Sequence, residues 1–303
     1  MGATADISTG LRLRTNAKLN LFLRVLGRRG DGYHELESIF HTVALGDDLL
    51  VVPTSSGEVD IDMRLEGAVG AIPEVHENLV SIAAQRLIER GATNGGIAVE
   101  IVKRIPFGAG LGGGSGNAAG ILVALNELWD MRLTNEDLQQ VAGLVGSDVP
   151  FCLGGGTALA TARGEQLTQL PSPISMDFVL GISNEPLSTR DVYDAWDDIT
   201  SEEEISSAPM ALALGSGEVE EVASLLHNDL EPASFGLRPE LGDLKDAMGA
   251  AGALGAAMSG SGPTIFGIAR SPEHATEIAE RVRGDFDRVE VVESIERCVE
   301  RLT

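Results

Sequence analysis

Pro106-Phe107-Gly108-Ala109-Gly110-Leu111-Gly112-Gly113-Gly114-Ser115-Gly116-Asn117 decides how this chain is read. Glycine removes side chains from the backbone, so the amides of this stretch stand bare. The apolar run Ala118 to Trp129 that follows has the length and composition of a helix, and its start faces the loop. Bare amides and the positive end of a helix dipole both favour an anion, and the missing side chains let a bulky phosphate approach. The stretch reads as a cradle for a nucleotide polyphosphate.

Other glycine loops share parts of this pattern. A P-loop ends in Gly-Lys followed by Ser or Thr, and no Gly-Lys pair occurs in the chain. Gly108-x-Gly110-x-x-Gly113 matches the dinucleotide fingerprint, with Asp130 at about the expected distance. The context differs, because Lys103-Arg104-Ile105-Pro106 separates the preceding strand from the first glycine and Asp130 follows a helix directly. The protein-kinase pattern lacks its His-Arg-Asp and Asp-Phe-Gly partners. A flexible linker would not set glycines between a strand and a helix of small residues.

Moving outward, 303 residues with 43% apolar content suffice for two domains with proper cores. The absence of an 18-residue apolar run and of a leader pattern predicts a cytoplasmic protein with no membrane partner. Cys152 and Cys298 are too few for a disulfide framework, and no Cys/His cluster has metal-ligand spacing, so no metal-ligating residue is assigned. The balance of 22 basic to 46 acidic residues, net -24, argues against nucleic acid as a partner. A nucleotide site must then draw on local cations, for which Lys18, Lys103 and Arg104 are the candidates. The acidic runs Ser201 to Glu204 and Glu218 to Glu221 read as solvated faces, and the acid-rich surface would suit a salty cytoplasm.

Leu11 to Leu23 alternates with period two, which predicts a strand whose polar face carries Arg14, Asn16, Lys18 and Asn20. Gly27 to Gly32 is a turn-rich loop that delivers Tyr33-His34, a pair able to stack on and hydrogen-bond a heterocycle. Short strands are expected near Phe40 to Ala44, Asp48 to Pro53, Val59 to Leu65 and Ile97 to Val102, with a helix from about Asn78 to Arg90. Thr134 begins a capping pattern for a helix to about Val145. Asp148 then precedes Val149-Pro150-Phe151, where the helix is expected to give way to an extended apolar segment. A strand and turn over Leu153 to Gly164 close the first domain, and Pro171-Ser172-Pro173 is the linker.

Beyond it, strands at Phe178 to Ile182, Thr264 to Ala269 and Val289 to Ile295 interleave with helices at Val219 to Leu226, Pro239 to Ala251 and Pro272 to Arg283, an α+β arrangement. A second small-residue loop, Met258 to Thr264, is placed to close over the first loop's ligand.

Together, Ala17-Lys18-Leu19-Asn20-Leu21-Phe22-Leu23, Arg29-Gly30-Asp31-Gly32-Tyr33-His34, Pro106 to Asn117, Ser147 to Phe151 and Ser259 to Gly262 resemble the GHMP superfamily of galactokinase, homoserine, mevalonate and phosphomevalonate kinases. Ala-Lys-Leu-Asn-Leu with Asp-Gly-Tyr-His points to its branch acting on a cytidine diphosphate-linked methylerythritol in the non-mevalonate isoprenoid route. The resemblance implies an α+β, two-domain GHMP kinase fold: residues 1–168 like the second domain of ribosomal protein S5, residues 169–303 ferredoxin-like. It implies ATP with Mg²⁺, a small-molecule substrate, and a monomer or homodimer. ATP would lie on Pro106, Phe107, Gly108, Ala109, Gly110, Leu111, Gly112, Gly113, Gly114, Ser115 and Gly116, with Lys103 near the nucleotide. Tyr33 would stack on cytosine, His34 would hydrogen-bond it, Tyr193 would be a second aromatic, and Asn20 would orient the sugar alcohol. Lys18 and Asp148 would be the catalytic pair. One departure is Gly116, where the superfamily's Gly-Gly-Gly-Ser-Ser has a second serine, so one hydroxyl that could touch phosphate or Mg²⁺ is missing. A kinase for homoserine or mevalonate would lack the cytosine contacts, and a non-catalytic nucleotide-binding protein would show no turnover.

Overall fold

The computed structural model describes residues 10–68, 72, 74, 76–91, 95–172, 175–199 and 205–302. Pro173 of the expected linker and the acidic run Ser201 to Glu204 lie outside them.

The first sheet contains β1 (Leu11–Arg28), β2 (His34–Thr54), β3 (Val59–Leu65), β4 (Gly96–Lys103), β5 (Thr157–Ala162) and β6 (Gln166–Gln169). The second contains β7 (Asp177–Ile182), β9 (Gly255–Met258), β10 (Ile265–Ala269) and β11 (Arg288–Glu293). Two short strands, β8 (His227–Asn228) and β12 (Val299–Arg301), return to pair with β1, so the chain does not divide cleanly at 168/169. The helices are α1 (Leu79–Glu89), α2 (Gly113–Leu128), α3 (Asn135–Val145), α4 (Val149–Gly154), α5 (Thr189–Trp196), α6 (Ala208–Ser216), α7 (Val219–Ser224), α8 (Glu231–Leu237), α9 (Glu240–Ala250) and α10 (Pro272–Val282). No helix among the described residues is long and apolar enough to cross a membrane.

The second sheet is antiparallel in the order β11-β7-β10-β9, which is 4-1-3-2 when its strands are counted along the chain. Helices follow its first and third strands, giving the βαββαβ connectivity of a ferredoxin-like unit.

The alternating pattern that predicts β1 is real, and two register shifts, at Asn16/Ala17 and Asn20/Phe22, divide what it carries. Bulges re-aim side chains. Leu11 and Leu13 pack with α1 and α2 in one core, whereas Ala17, Leu19 and Leu21 pack against Phe178, Leu180 and Phe266 of the second sheet. The polar face divides too. Arg14 pairs with Asp48 at 2.8 Å and Asn16 Nδ2 donates to Glu300 at 3.0 Å, while Lys18 and Asn20 face the cleft between the sheets.

Three expectations are corrected. The strands expected near Phe40 to Ala44 and Asp48 to Pro53 are one strand, β2, whose first half pairs with β5 and whose second half pairs with β4. The segment after Asp148 is a helix, because Pro150 sits in the first turn of α4, where a missing amide hydrogen costs nothing. Helices α5, α6 and α8 were not foreseen; each is under ten residues, too short for periodicity to stand out.

Candidate active site

A cleft of about 840 Å³ runs between the sheets. One end is floored by the glycine loop. Gly110 and Gly112 have φ of 75° and 68°, a left-handed conformation that favours glycine. A Cβ on Gly112 would stand 2.9 Å from Lys18 Cγ, so the absent side chain is what lets the lysine stem lie across the loop. The Lys18 amide donates to Leu111 O at 3.0 Å, tying β1 to the loop. Ser259 Oγ donates to Gly110 O at 2.9 Å, so the second small-residue loop packs directly on the first.

Helix α2 begins at Gly113, and the Gly116 amide is the first to close a helical turn, on Gly112 O at 2.8 Å. The amides of Gly113, Gly114 and Ser115 precede that first turn bond, as the donors of a helix-start anion site do. Of the loop residues, Gly108, Gly110 and Gly112 line the cleft, while Ala109 and Leu111 are buried in the core between the sheets. Gly116 does not face the cleft: a Cβ there would meet Asn16 O at 3.4 Å, on β1. The serine missing at this position would therefore point at the sheet.

Lys18 Nζ lies 3.4 Å from Asp148 Oδ2, with the lysine 5% and the aspartate 31% exposed. The ammonium also donates to Asn20 Oδ1 at 2.6 Å, Asn20 Nδ2 donates to Ser38 Oγ at 2.8 Å, and Ser38 donates to Phe22 O at 2.7 Å. Asn20 thus positions the lysine. Asp148 precedes the first residue of α4, so the short helix sets its direction.

Lys103, expected beside the nucleotide, is fully buried beneath the loop. It pairs with Asp47, and a Cβ on Gly113 would lie 2.7 Å from its Nζ. Burial lowers its pKa, and the attraction of Asp47 opposes that shift. Asp47 also accepts from the amides of Arg104 (2.7 Å) and Ile105 (2.9 Å) and from Asn117 Nδ2 (2.9 Å). Arg104 turns to Asp48 at 2.9 Å. Of the three cations expected to hold phosphate, only Lys18 lines the cleft.

Sequence reasoning missed Arg28, Arg163 and Arg190, which do line it. Arg28 sits in the turn already singled out; Arg190 lies on the unforeseen α5.

At the other end, Tyr33 is 55% exposed, with the Arg163 guanidinium 5.0 Å from its ring centre. His34 is buried against α5. Its ring stacks on Tyr193 at 4.7 Å, and Nε2 lies 2.7 Å from Asp197 Oδ1. The burial that packs Tyr193 there raises its phenol pKa, with Asp148 adding to the rise. The structure brings Tyr33, His34, Tyr193, Asn20, Lys18 and Asp148 into one cleft.

Comparison with known proteins agrees with this geometry. Models of the GHMP kinases N terminal domain and the GHMP kinases C terminal domain match residues 78–162 and 210–288. The 4-diphosphocytidyl-2-C-methyl-D-erythritol kinase of Pelotomaculum thermopropionicum is 41% identical over 274 residues, 90% of this chain and 94% of its own length. Its namesake from Gloeobacter violaceus is 39% identical, covering 91% of each chain. A crystal structure of 4-(cytidine 5'-diphospho)-2C-methyl-D-erythritol kinase superposes with a TM-score of 0.77 at 35% identity, over 94% of this chain and 99% of its own. The chain belongs to the GHMP kinase family and, within it, to the 4-diphosphocytidyl-2-C-methyl-D-erythritol kinases.

Proposed function

We propose that this protein transfers the γ-phosphoryl group of ATP to the 2-hydroxyl of 4-diphosphocytidyl-2-C-methyl-D-erythritol, in the cytoplasm. The observation that carries the reading is the meeting of Lys18 and Asp148, 3.4 Å apart, in a cleft with bare glycine-loop amides at one end and Tyr33, His34 and Tyr193 at the other.

The triphosphate would rest on Gly108 to Ser115, at the positive start of α2. Phosphoryl transfer passes through a loose transition state, so the site's work is positioning and charge neutralisation. The alcohol oxygen bonds to the γ-phosphorus as the bridge to the β-phosphate breaks and ADP leaves. Asp148 takes the alcohol's proton, and the Lys18 ammonium steadies charge growing on oxygen. Asn20, fixed by Ser38, holds Lys18 in that pose and presents its amide to the sugar alcohol. Tyr33 stacks on the base, His34 reads its edge, and Tyr193, which lines the same cleft with its ring stacked on His34, is the second aromatic at that end.

Magnesium on a nucleotide needs only one or two protein oxygens, with phosphates and water completing the shell. Ser115, half-buried in the first turn of α2, fits that requirement, and Gly116 subtracts nothing from it because its position faces the sheet. Bound there, Mg²⁺ would supply charge neutralisation to the phosphate being transferred, with the Ser115 hydroxyl as the protein group that would hold it.

A coupled ADP-release assay tests the reading. Turnover with the cytidyl alcohol and background rates with homoserine and mevalonate are expected. Equal or faster turnover of either amino or carboxylic alcohol would replace the substrate, and no turnover of any would leave a nucleotide-binding protein.

A further inference from the structure

His34 is held from three directions. Asp197 Oδ1 lies 2.7 Å from Nε2, Tyr193 stacks on the ring, and Trp196 meets it edge-on with centroids 5.8 Å apart. A carboxylate only accepts hydrogen bonds, so the proton of the neutral imidazole must sit on Nε2. Arg28 Nη1 reaches the other oxygen of Asp197 at 2.9 Å and supplies its counter-charge. The hydrogen bond from His34, reinforced by the charge of Arg28, holds the Asp197 carboxyl below the usual range. Nδ1 makes no hydrogen bond among the described residues, and His34 is one of the residues lining the cleft, so Nδ1 is the ring's remaining acceptor there.

That acceptor discriminates between pyrimidines. The 4-amino group is the only donor on the exposed edge of cytosine, whereas uracil in the same pose presents the O4 acceptor. Two facing acceptors leave both without partners, which costs more than a missed contact. We propose that Asp197 is a positioning residue that fixes the Nε2–H tautomer of His34, and that this tautomer selects an aminopyrimidine nucleotide over its oxo counterpart. The inference rests on the cytidyl end of the substrate binding beside His34.

Asp197→Asn tests it, because an amide can donate to Nε2 and move the ring proton to Nδ1. Compared with the wild type, kcat/KM for the cytidyl substrate should fall roughly tenfold to a hundredfold, the cost of one unmade hydrogen bond, through KM and with the KM for ATP unchanged. The preference for the cytidyl over the uridyl substrate should shrink at least about tenfold, since the new donor welcomes O4. Nitrogen-15 NMR of His34 should show the proton on Nε2 in the wild type and on Nδ1 in the variant. A wild-type proton on Nδ1, or a variant in which both substrates weaken together at an unchanged ratio, would overturn the proposal. The NMR experiment needs no turnover, so its failure is separate from a wild type inactive on the cytidyl substrate, which would overturn the functional reading instead.

Discussion

Two lysine–aspartate pairs flank the glycine loop, one below it and one above, and they differ in what is left over. Below, Lys103 and Asp47 are both fully buried, and Asp47 takes four donors: Lys103 Nζ, two backbone amides and Asn117. No acceptor capacity remains for a ligand, so the pair can only hold the end of β4 against the first turns of α2. Above, Lys18 and Asp148 are 3.4 Å apart, and the aspartate is about a third exposed. That separation leaves room for a third group. The same two residue types give a clamp where the carboxylate's acceptors are all taken and, in the mechanism proposed above, a reactive site where they are not.

The contrast can be broken first at the clamp. Asp47→Ala would strand a buried ammonium together with two backbone amides, a loss of about 3–5 kcal/mol in urea unfolding. Turnover per folded molecule should stay within severalfold of wild type. Unchanged stability with lost turnover would move the lower pair into the chemistry.

Acid separates the regions in a second way. His41 is fully buried between the sheets, bonded to Thr157 Oγ1 at 2.8 Å and Ser294 Oγ at 2.7 Å, and burial lowers its pKa from 6.5 to about 4. Between those values the unfolded chain binds the proton and the folded chain does not, so stability rises with pH across the window. The contribution is complete above pH 6.5 and is lost as pH falls toward 4, roughly 3 kcal/mol in all. Melts of wild type and His41→Gln from pH 4.5 to 7.5 should show that slope in the wild type alone. Equal slopes would remove His41 from the account.

The smallest effect sharpens the geometry of the loop. Gly116→Ser should change stability by less than about 1 kcal/mol and leave turnover and its Mg²⁺ dependence unaltered, because the new hydroxyl meets β1. A shifted Mg²⁺ dependence would show that position 116 does reach the phosphates.

The upper pair was named through the family resemblance, carried by Ala17 to Leu23 and Ser147 to Phe151; the alternating strand and the position before Val149-Pro150 alone fitted a wet sheet face and a turn aspartate equally well. The clamp was not legible by either route. Lys103 meets Asp47 only through the pairing of β2 with β4, and nothing local marks a lysine destined for complete burial. Thr134 announced α3 through a capping box that the structure contains, whereas Pro150 suggested an extended segment and instead opens α4. Helix α5 was hidden by its eight residues, and with it went the links from His34 to Trp196 and Asp197. The return of β12 to β1 brings Glu300 to Asn16, a contact across almost the whole chain that no local pattern reveals.

The most direct measurement is kcat of Asp148→Asn beside its melting temperature and its affinities for ATP and the cytidyl substrate. A fall in kcat of about 10² to 10⁴ with the other three unchanged is expected of a general base held in an open pair. Near-normal kcat, or a loss of turnover that merely tracks a loss of fold, would contradict the assignment of chemistry to the upper pair.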